Sequence, residues 1–278
     1  MLVETARNLD LGSFYASHDS VDEYLVSVGD ALPVYKDIGI APPLYSAALG
    51  LGFLLRELAF PPGAIHSLQE VETRKPVPIG SDVKVKALVE KPRRRSGLEF
   101  VTVVCTVESD GAVALISKST VLVPGQESHG QGAPGSKSAE PIVGNVEPIS
   151  SNLSVVSKEI NQERLNAYAK VSGDDNPLHL DAKFAATTQF GAIIAHGMLT
   201  LAFVSEMMTD AHGKDWLESG GLRVRFKGAA YLGDQVESWG NLSKETDAAK
   251  TFSVGVRNVK NGKELISGTA SFNIKRQR

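Results

Sequence analysis

The sequence predicts an α+β protein of two repeats, in each of which an antiparallel sheet wraps around one apolar helix. Residues 124–148, which are rich in glycine and proline, divide the 278-residue chain into halves of similar size. Each half then has an apolar helical stretch followed by segments with the period-two alternation of antiparallel strands. A helix with so little polar surface can be buried only if the sheet wraps around it.

The two halves resemble each other as diverged copies. A tyrosine precedes a Gly-Asp pair by the same interval in both, at residues 24–30 and 168–174. Further along, residues 40–45 resemble residues 194–199, and each segment opens an apolar stretch that predicts a helix. Similar signals in the same order indicate an internal repeat.

The predicted strands follow the helix in each half. An Asn-Gly pair at Asn261 and Gly262 marks a hairpin turn between the last two strands. The predicted strands are residues 83–89, 98–107 and 113–123 in the first half, and residues 222–226, 236–242, 252–259 and 265–274 in the second.

We therefore expect a first domain at residues 1–124, a flexible linker at 125–148 and a second domain at 149–278. The linker contains a formal G-x-G-x-x-G pattern at residues 130–135. A dinucleotide site needs that pattern to open a helix, whereas Pro134 lies inside it and polar residues follow. The pattern favours a linker, and no cofactor is expected.

The composition argues against several classes of protein. A net charge of −3 gives no support for nucleic-acid binding, and the longest nearly apolar stretch, residues 45–55, is far below the roughly 20 residues of a membrane span. There is no secretory signal pattern, and the single cysteine, Cys105, excludes an intramolecular disulfide, so a cytoplasmic protein is expected. His18, His129 and His212 lack metal-ligand spacing, so we expect no structural metal.

Residues 173–179, Gly-Asp-Asp-Asn-Pro-Leu-His, combine a carboxylate and an imidazole. Gly173 and Pro177 favour a loop, which can bring the side chains of Asp174 and His179 to one water molecule. Hydration of an enoyl thioester needs a base that takes a proton from water and an acid that supplies one to the alpha carbon. Histidine titrates near neutral pH, so this pair suits that chemistry.

A donor for the thioester oxygen is predicted nearby. Residues 195–198 open a predicted helix at 198–208, and the backbone N–H groups at a helix N-terminus stabilise developing negative charge. Gly197 would let the thioester approach the backbone closely. Base, acid and oxyanion donor thus fall within a stretch of about 25 residues.

Residues 168–205 resemble the MaoC-like family of R-specific enoyl-CoA hydratases, whose fold is the hot-dog fold. The resemblance implies a double hot-dog, with Asp174 and His179 as the catalytic dyad around a water molecule. It implies further that Asn176 supports the dyad and that the N–H of Gly197 polarises the thioester carbonyl. The matching motifs are Ser172-Gly173-Asp174, Asn176-Pro177-Leu178-His179-Leu180-Asp181, Phe184-Ala185 and Ala195-His196-Gly197-Met198.

Four further residues are expected to contact the substrate. Ser205 stands where the family has a serine near the reaction centre, and Met198 belongs to the motif at the helix start. Asp175 replaces the apolar or aromatic residue of many members. His196 either contacts substrate or packs and caps the helix, and both alternatives stay open. A second departure is Lys-Gly-Ala at residues 227–229, where Lys-x-Pro is usual.

The first half is expected to be catalytically silent. Only 13 residues separate Asp30 from Pro43, against 23 from Asp174 to Gly197, and the missing stretch would hold asparagine, proline and histidine. Pro42 and Pro43 replace the His-Gly pair, and proline has no N–H to donate. The resemblance implies that such a half shapes the acyl pocket and completes the CoA site.

Three other features have simple structural interpretations. Asp30 is expected to cap a turn instead of acting as a vestigial acid. His66 lies in an alternating segment and is expected on the surface of a strand. The basic run at residues 91–95 is either a solvated hairpin tip or a patch for the phosphates of CoA or an acidic carrier protein.

The first functional hypothesis is therefore a hydratase or dehydratase acting on a trans-2-enoyl or (3R)-hydroxyacyl thioester. The alternatives are a hot-dog thioesterase, which would not use the whole Asp-Asn-Pro-His arrangement, and a noncatalytic acyl-thioester-binding subunit, against which the intact dyad argues. The thiol carrier, CoA or acyl carrier protein, and the acyl chain length stay open. So does the oligomeric state, with a homodimer of double hot-dogs as one option.

Overall fold

The fold comes from a computed structural model, which describes residues 6–58, 60, 64–95, 97–124 and 153–274. The predicted linker and its glycine pattern lie outside these residues. Within them, the helices are α1 (His18–Val28), α2 (Val34–Ile38), α3 (Pro43–Glu57), α4 (Gln162–Ser172), α5 (Ala182–Ala186) and α6 (Gly197–Ser219). The strands are β1 (Arg7–Tyr15), β2 (Ile65–Thr73), β3 (Asp82–Val89), β4 (Arg93–Arg95), β5 (Leu98–Ser109), β6 (Ala112–Pro124), β7 (Ser157–Glu159), β8 (Gly221–Phe226), β9 (Gln235–Glu245), β10 (Ala249–Asn258) and β11 (Glu264–Asn273).

The strands form one antiparallel sheet that is symmetric about its centre. Its order is β1-β3-β5-β6-β2-β8-β11-β10-β9-β7, with the short β4 paired to β5. Read outward from the central β2–β8 pair, the first half and the second half follow the same path. The order of strands therefore supports the internal repeat that the sequence predicts, and all seven predicted strands are present.

The ends of α1 and α4 repeat as well. Gly29 and Gly173 cap these helices in the left-handed conformation, with φ of 72° and 75°, which glycine adopts without strain. The two equivalent tyrosines, Tyr24 and Tyr168, are buried with ring centroids 6.3 Å apart. The Tyr-to-Gly-Asp interval seen in the sequence is thus the C-terminal end of a helix. That helix occurs once in each half, as α1 and α4, and the two copies pack against each other.

The two longest helices, α3 and α6, lie against the sheet in the core. The predicted end of α6 at residue 208 was wrong, because the helix continues to Ser219 through a kink at Gly213 (φ 49°). Exposed polar residues after Met208 hide the apolar pattern, whereas Trp216 and Leu217 are buried and attach the last turn to the core. None of the described helices is long and apolar enough to cross a membrane.

Three single-residue predictions can be compared with the fold. Cys105 is a buried core residue of β5, as expected. Asp30 does cap a turn: its carboxylate accepts from the N–H of Leu32 at 3.0 Å and from the hydroxyl of Tyr35.

The surface position predicted for His66 was wrong. Its ring lies tilted against that of Phe226 with centroids 4.6 Å apart, and burial lowers its pKa to about 4. The β2–β6 register shifts between His66 and Leu68, and such a bulge reverses the alternation from which the prediction was made.

A buried group of charges joins the two halves. The ammonium group of Lys158, in β7, donates to the carbonyl of Gly29 at the end of α1 and to Glu206 of α6 at 3.0 Å. The guanidinium of Arg164 and the carboxylate of Asp30 lie close enough to act on Glu206 electrostatically. Burial is the largest effect and raises the pKa of Glu206 to about 7.

The variant Glu206→Gln is expected to flatten the pH dependence of stability. Because the folded-state pKa of about 7 exceeds the ordinary value of 4.5, the contribution of Glu206 is fully present below pH 4.5 and is lost as the pH rises through 7. Melting temperatures from pH 4 to 8 should fall less in Glu206→Gln than in the wild type. The exposed Glu57→Gln is the matched control, and an equally steep fall in both variants would contradict the assignment.

Candidate active site

Residues 173–179 form the predicted loop, which closes in one short turn. Gly173 ends α4, and Pro177–His179 form a single 3-10 turn. The side chain of Asn176 caps this turn by accepting from the N–H of Leu178 at 3.0 Å. Asn176 therefore acts on the loop backbone, which it folds so that His179 turns back towards Asp174.

The side chains of Asp174 and His179 come together, and that of His196 joins them. One polar atom from each of the three lies within 4.8 Å of the other two. The carbonyl of Ile194 can only accept a hydrogen bond, so its 2.8 Å contact with Nδ1 of His179 places the proton on Nδ1. Nε2 of neutral His179 consequently keeps a lone pair, as a general base requires.

His196 fixes the position of this pair. It is the N-cap residue of α6, and its Nε2–H donates to the carbonyl of Asp174 at 3.0 Å. Its ring lies tilted against that of His179, with centroids 3.8 Å apart, and contacts the ring of Tyr168, with centroids 5.0 Å apart. These contacts favour the packing alternative for His196, and a contact with substrate stays a prediction.

Burial changes the proton affinities of the dyad in opposite directions. It raises the pKa of Asp174 and lowers the pKa of His179, while the attraction between the two charged forms opposes both changes. The pKa of His196 lies well below 6.5 because of burial and the neighbouring His179. Burial thus shifts the pKa values of Asp174 and His179 towards each other, which favours proton transfer between them through a shared water molecule.

Gly197 is the first residue of α6, beside the dyad. The first hydrogen bond of α6 runs from the N–H of Thr200 to the carbonyl of His196, at 3.2 Å. The N–H groups of Gly197 and Met198 precede it and belong to the donors that a helix N-terminus leaves unused. A Cβ on Gly197 would lie 2.9 Å from the ring of Phe226, so in this structure the packing of Phe226 requires the glycine.

The remaining predicted contacts are dispersed. Met198 is buried in α6, and Asp175 is exposed beside the dyad. Ser205 lies eight residues along α6 from Gly197, about 12 Å at 1.5 Å per residue, and its hydroxyl accepts from the indole of Trp216 at 3.3 Å. The structure does not bring Ser205 together with the dyad, and its substrate contact stays a prediction.

Sequence reasoning missed Ile194 and Phe226. The contribution of Ile194 is its backbone carbonyl, for which no side-chain pattern exists. Phe226 was predicted as a strand residue, but nothing local indicates that its ring meets Gly197.

One carboxylate and two imidazoles can also hold a divalent metal ion. Nδ1 of His179 and Nε2 of His196 are engaged by carbonyls, which leaves the other ring nitrogens and the carboxylate of Asp174 as donors. The expectation of a metal-free site stays a prediction.

The comparisons with known proteins agree with this geometry. Residues 146–263 match the family model described as MaoC like domain. An (R)-specific enoyl-CoA hydratase of Aeromonas caviae is 38% identical over 84 residues, covering 29% of this chain and 60% of the relative. A 3-hydroxybutyryl-CoA dehydratase of Methylorubrum extorquens is 35% identical over 78 residues, covering 28% and 42%. The matches thus span less than two thirds of either relative.

Solved structures match the whole chain. One described as a MaoC-like dehydratase superposes with a TM-score of 0.77 at 18% identity, covering 99% of both chains. A protein of Mycobacterium tuberculosis described as having a double hotdog fold superposes with a TM-score of 0.66 at 11% identity, covering 98% of this chain and 96% of that one. This chain is a double hot-dog protein, as predicted. Within its second half, residues 146–263 are similar to the MaoC like domain.

In the variant Asp174→Asn, the pKa of His179 is expected to fall further below the ordinary value of 6.5. The carboxylate that raises it is removed, while the burial that lowers it remains. NMR titration of the imidazole carbons, assigned with His179→Ala, measures this change. Asp175→Asn, one residue along and exposed, should change the pKa less. A pKa of His179 that rises in Asp174→Asn would refute the electrostatic pairing.

Proposed function

We propose that this chain catalyses the reversible hydration of a trans-2-enoyl thioester to the (3R)-hydroxyacyl thioester. The observation that supports this most strongly is the neutral imidazole of His179 beside the carboxylate of Asp174, at the N-terminus of α6. The names of the two relatives, a hydratase and a dehydratase, agree with it.

In the hydration direction, the dyad activates a water molecule. Nε2 of His179 takes a proton from water as the oxygen attacks C3 of the enoyl group. Negative charge then develops on the thioester oxygen, where the N–H of Gly197 stabilises the enolate. A proton from the dyad adds to C2, which completes the gain of one water across the double bond. The raised pKa of Asp174 helps this carboxyl group to carry that proton.

The first half is proposed to be noncatalytic. Asp30, the counterpart of Asp174, is engaged by Leu32 and Tyr35 and has no histidine in the shortened loop. The first turn of α3 begins at Pro42 and Pro43, which offer no N–H. The proposed division at residues 1–124, 125–148 and 149–278 therefore gives one active site per chain.

CoA is the proposed carrier of the acyl group, because both relatives are named for CoA substrates. Acyl carrier protein is the alternative carrier. A cytoplasmic location and a homodimer of double hot-dogs remain expectations, which cell fractionation and sedimentation of the purified protein would test.

The variants Asp174→Asn and His179→Ala are each expected to lower turnover by about 10²–10⁴-fold, the usual effect of losing a positioned acid or base. Loss of enoyl absorbance on hydration of crotonyl-, medium-chain, long-chain and branched enoyl-CoA is the measurement. The controls are the exposed Asp37→Asn and His18→Ala, which should keep wild-type turnover.

Near-normal turnover in both folded dyad variants would contradict the mechanism. Release of free thiol from acyl-CoA without a change in enoyl absorbance would instead favour a thioesterase. Binding of acyl-CoA without turnover of any substrate would favour a noncatalytic subunit.

A further inference from the structure

We propose that α3 of the first half positions the catalytic loop of the second half, through Gly52 and Arg56, here named the α3 seat. This inference rests on the proposed function and adds two positioning residues to it. Both lie more than 100 residues before the loop in the sequence and touch no reacting atom.

The contact at Gly52 leaves no room for a side chain. A Cβ at this position would lie 1.8 Å from the carbonyl oxygen of Ser172 and 3.3 Å from the carbonyl carbon of Gly173. Both are backbone atoms at the end of α4, so a change of rotamer cannot relieve the overlap. Any side chain at position 52 must displace the backbone that leads into Asp174.

That displacement would pass directly to the dyad. The N–H of Asp174 donates to the hydroxyl of Ser172 at 3.2 Å, and this hydroxyl donates in turn to the carbonyl of Tyr168 at 2.7 Å. The N–H of Gly173 is held by the carbonyl of Ala169 at 2.9 Å. Ser172 and Asp174 are thus connected by a hydrogen bond as well as by the chain.

Arg56 extends the same contact by one helical turn. Its guanidinium would be 3.5 Å from a Cβ on Gly173, and it is held over the ring of Phe53 at 4.7 Å from the centroid. Residues four apart share one face of a helix, so Gly52 and Arg56 together face the end of α4. Gly52 leaves room for the backbone at the end of α4, and the guanidinium of Arg56 lies over that backbone.

The repeat supplies an internal comparison. Gly52 is the tenth residue of α3, and its counterpart, the tenth residue of α6, is Glu206. Glu206 is connected through Lys158 to Gly29, the counterpart of Gly173. Where the facing loop is silent, a long charged side chain is compatible with the fold. The glycine is therefore matched to the catalytic loop, although glycine is unfavourable inside a helix.

The test compares Gly52→Ala with Gly50→Ala. Gly50 lies in the same helix, and a Cβ there would meet Val85 at an ordinary 3.5 Å. In Gly52→Ala, kcat for enoyl-CoA hydration should fall tenfold or more, with a smaller change in KM. The NMR-measured pKa of His179 should also move, because Asp174 is displaced relative to it. Gly50→Ala should match the wild type in both measurements.

A folded Gly52→Ala protein with wild-type kcat and an unchanged His179 pKa would overturn the proposal. If Gly52→Ala does not fold, Arg56→Ala decides, because it removes atoms from an exposed side chain and adds none. It should lower kcat about two- to fivefold and move the same pKa, and wild-type values for both would overturn the proposal.

Failure of the proposed function is distinguishable from failure of the seat. If the wild type hydrates no enoyl thioester, the proposed function fails, and the His179 pKa in the three variants still tests the seat. If the wild type is active and the variants equal it, the seat alone fails.

Discussion

The pairing of β2 with β8 is the contact on which the rest of the molecule depends. Five residue pairs, from Leu68–Arg225 to Glu72–Gly221, join the two half-sheets into one, and Val71, Leu222 and Val224 bury the joint. Because the pair is antiparallel and central, the strands of the two halves follow it outward in the same order, and equivalent helices of the two halves occupy equivalent positions. The end of α4 therefore meets α3 of the other half, and the end of α1 meets α6.

Burial at this junction gives the site its chemistry. His196, Tyr168 and Tyr24 form a chain of ring contacts from the dyad to the first half. These rings cover the inner side of the dyad, and loss of solvation is the largest cause of both pKa changes. An isolated loop of the same sequence would keep ordinary pKa values, so the dyad depends on the packing of both halves.

Local patterns in the sequence predicted the main strands of each half and the centre of the site, but not β1, β4 or β7. Alternation located the strands, Gly173 and Pro177 indicated the loop, and the spacing of Asp174 and His179 indicated their meeting. Two predictions were wrong because a single residue interrupts the regular pattern. The bulge at His66 interrupts the alternation of β2, and the kink at Gly213 interrupts α6. The contact of Gly52 with Ser172 could not be predicted, because it joins segments far apart in sequence and leaves only a glycine as its signal.

The two pseudo-equivalent junctions show how one repeat can be specialised while the fold is kept. At the junction of Gly29 with α6, Lys158 and Glu206 are only 16% and 12% exposed, and burying such charges costs free energy that their pairing only partly offsets. At the other junction, the helix instead accepts a glycine, which lowers helix stability but brings the loop against the helix backbone. Each junction thus departs from the most stable choice in its own way. The departure at Gly52 lies beside the backbone that leads into Asp174, whereas the buried charges lie beside Gly29. We therefore relate the asymmetry between the halves to the position of the loop.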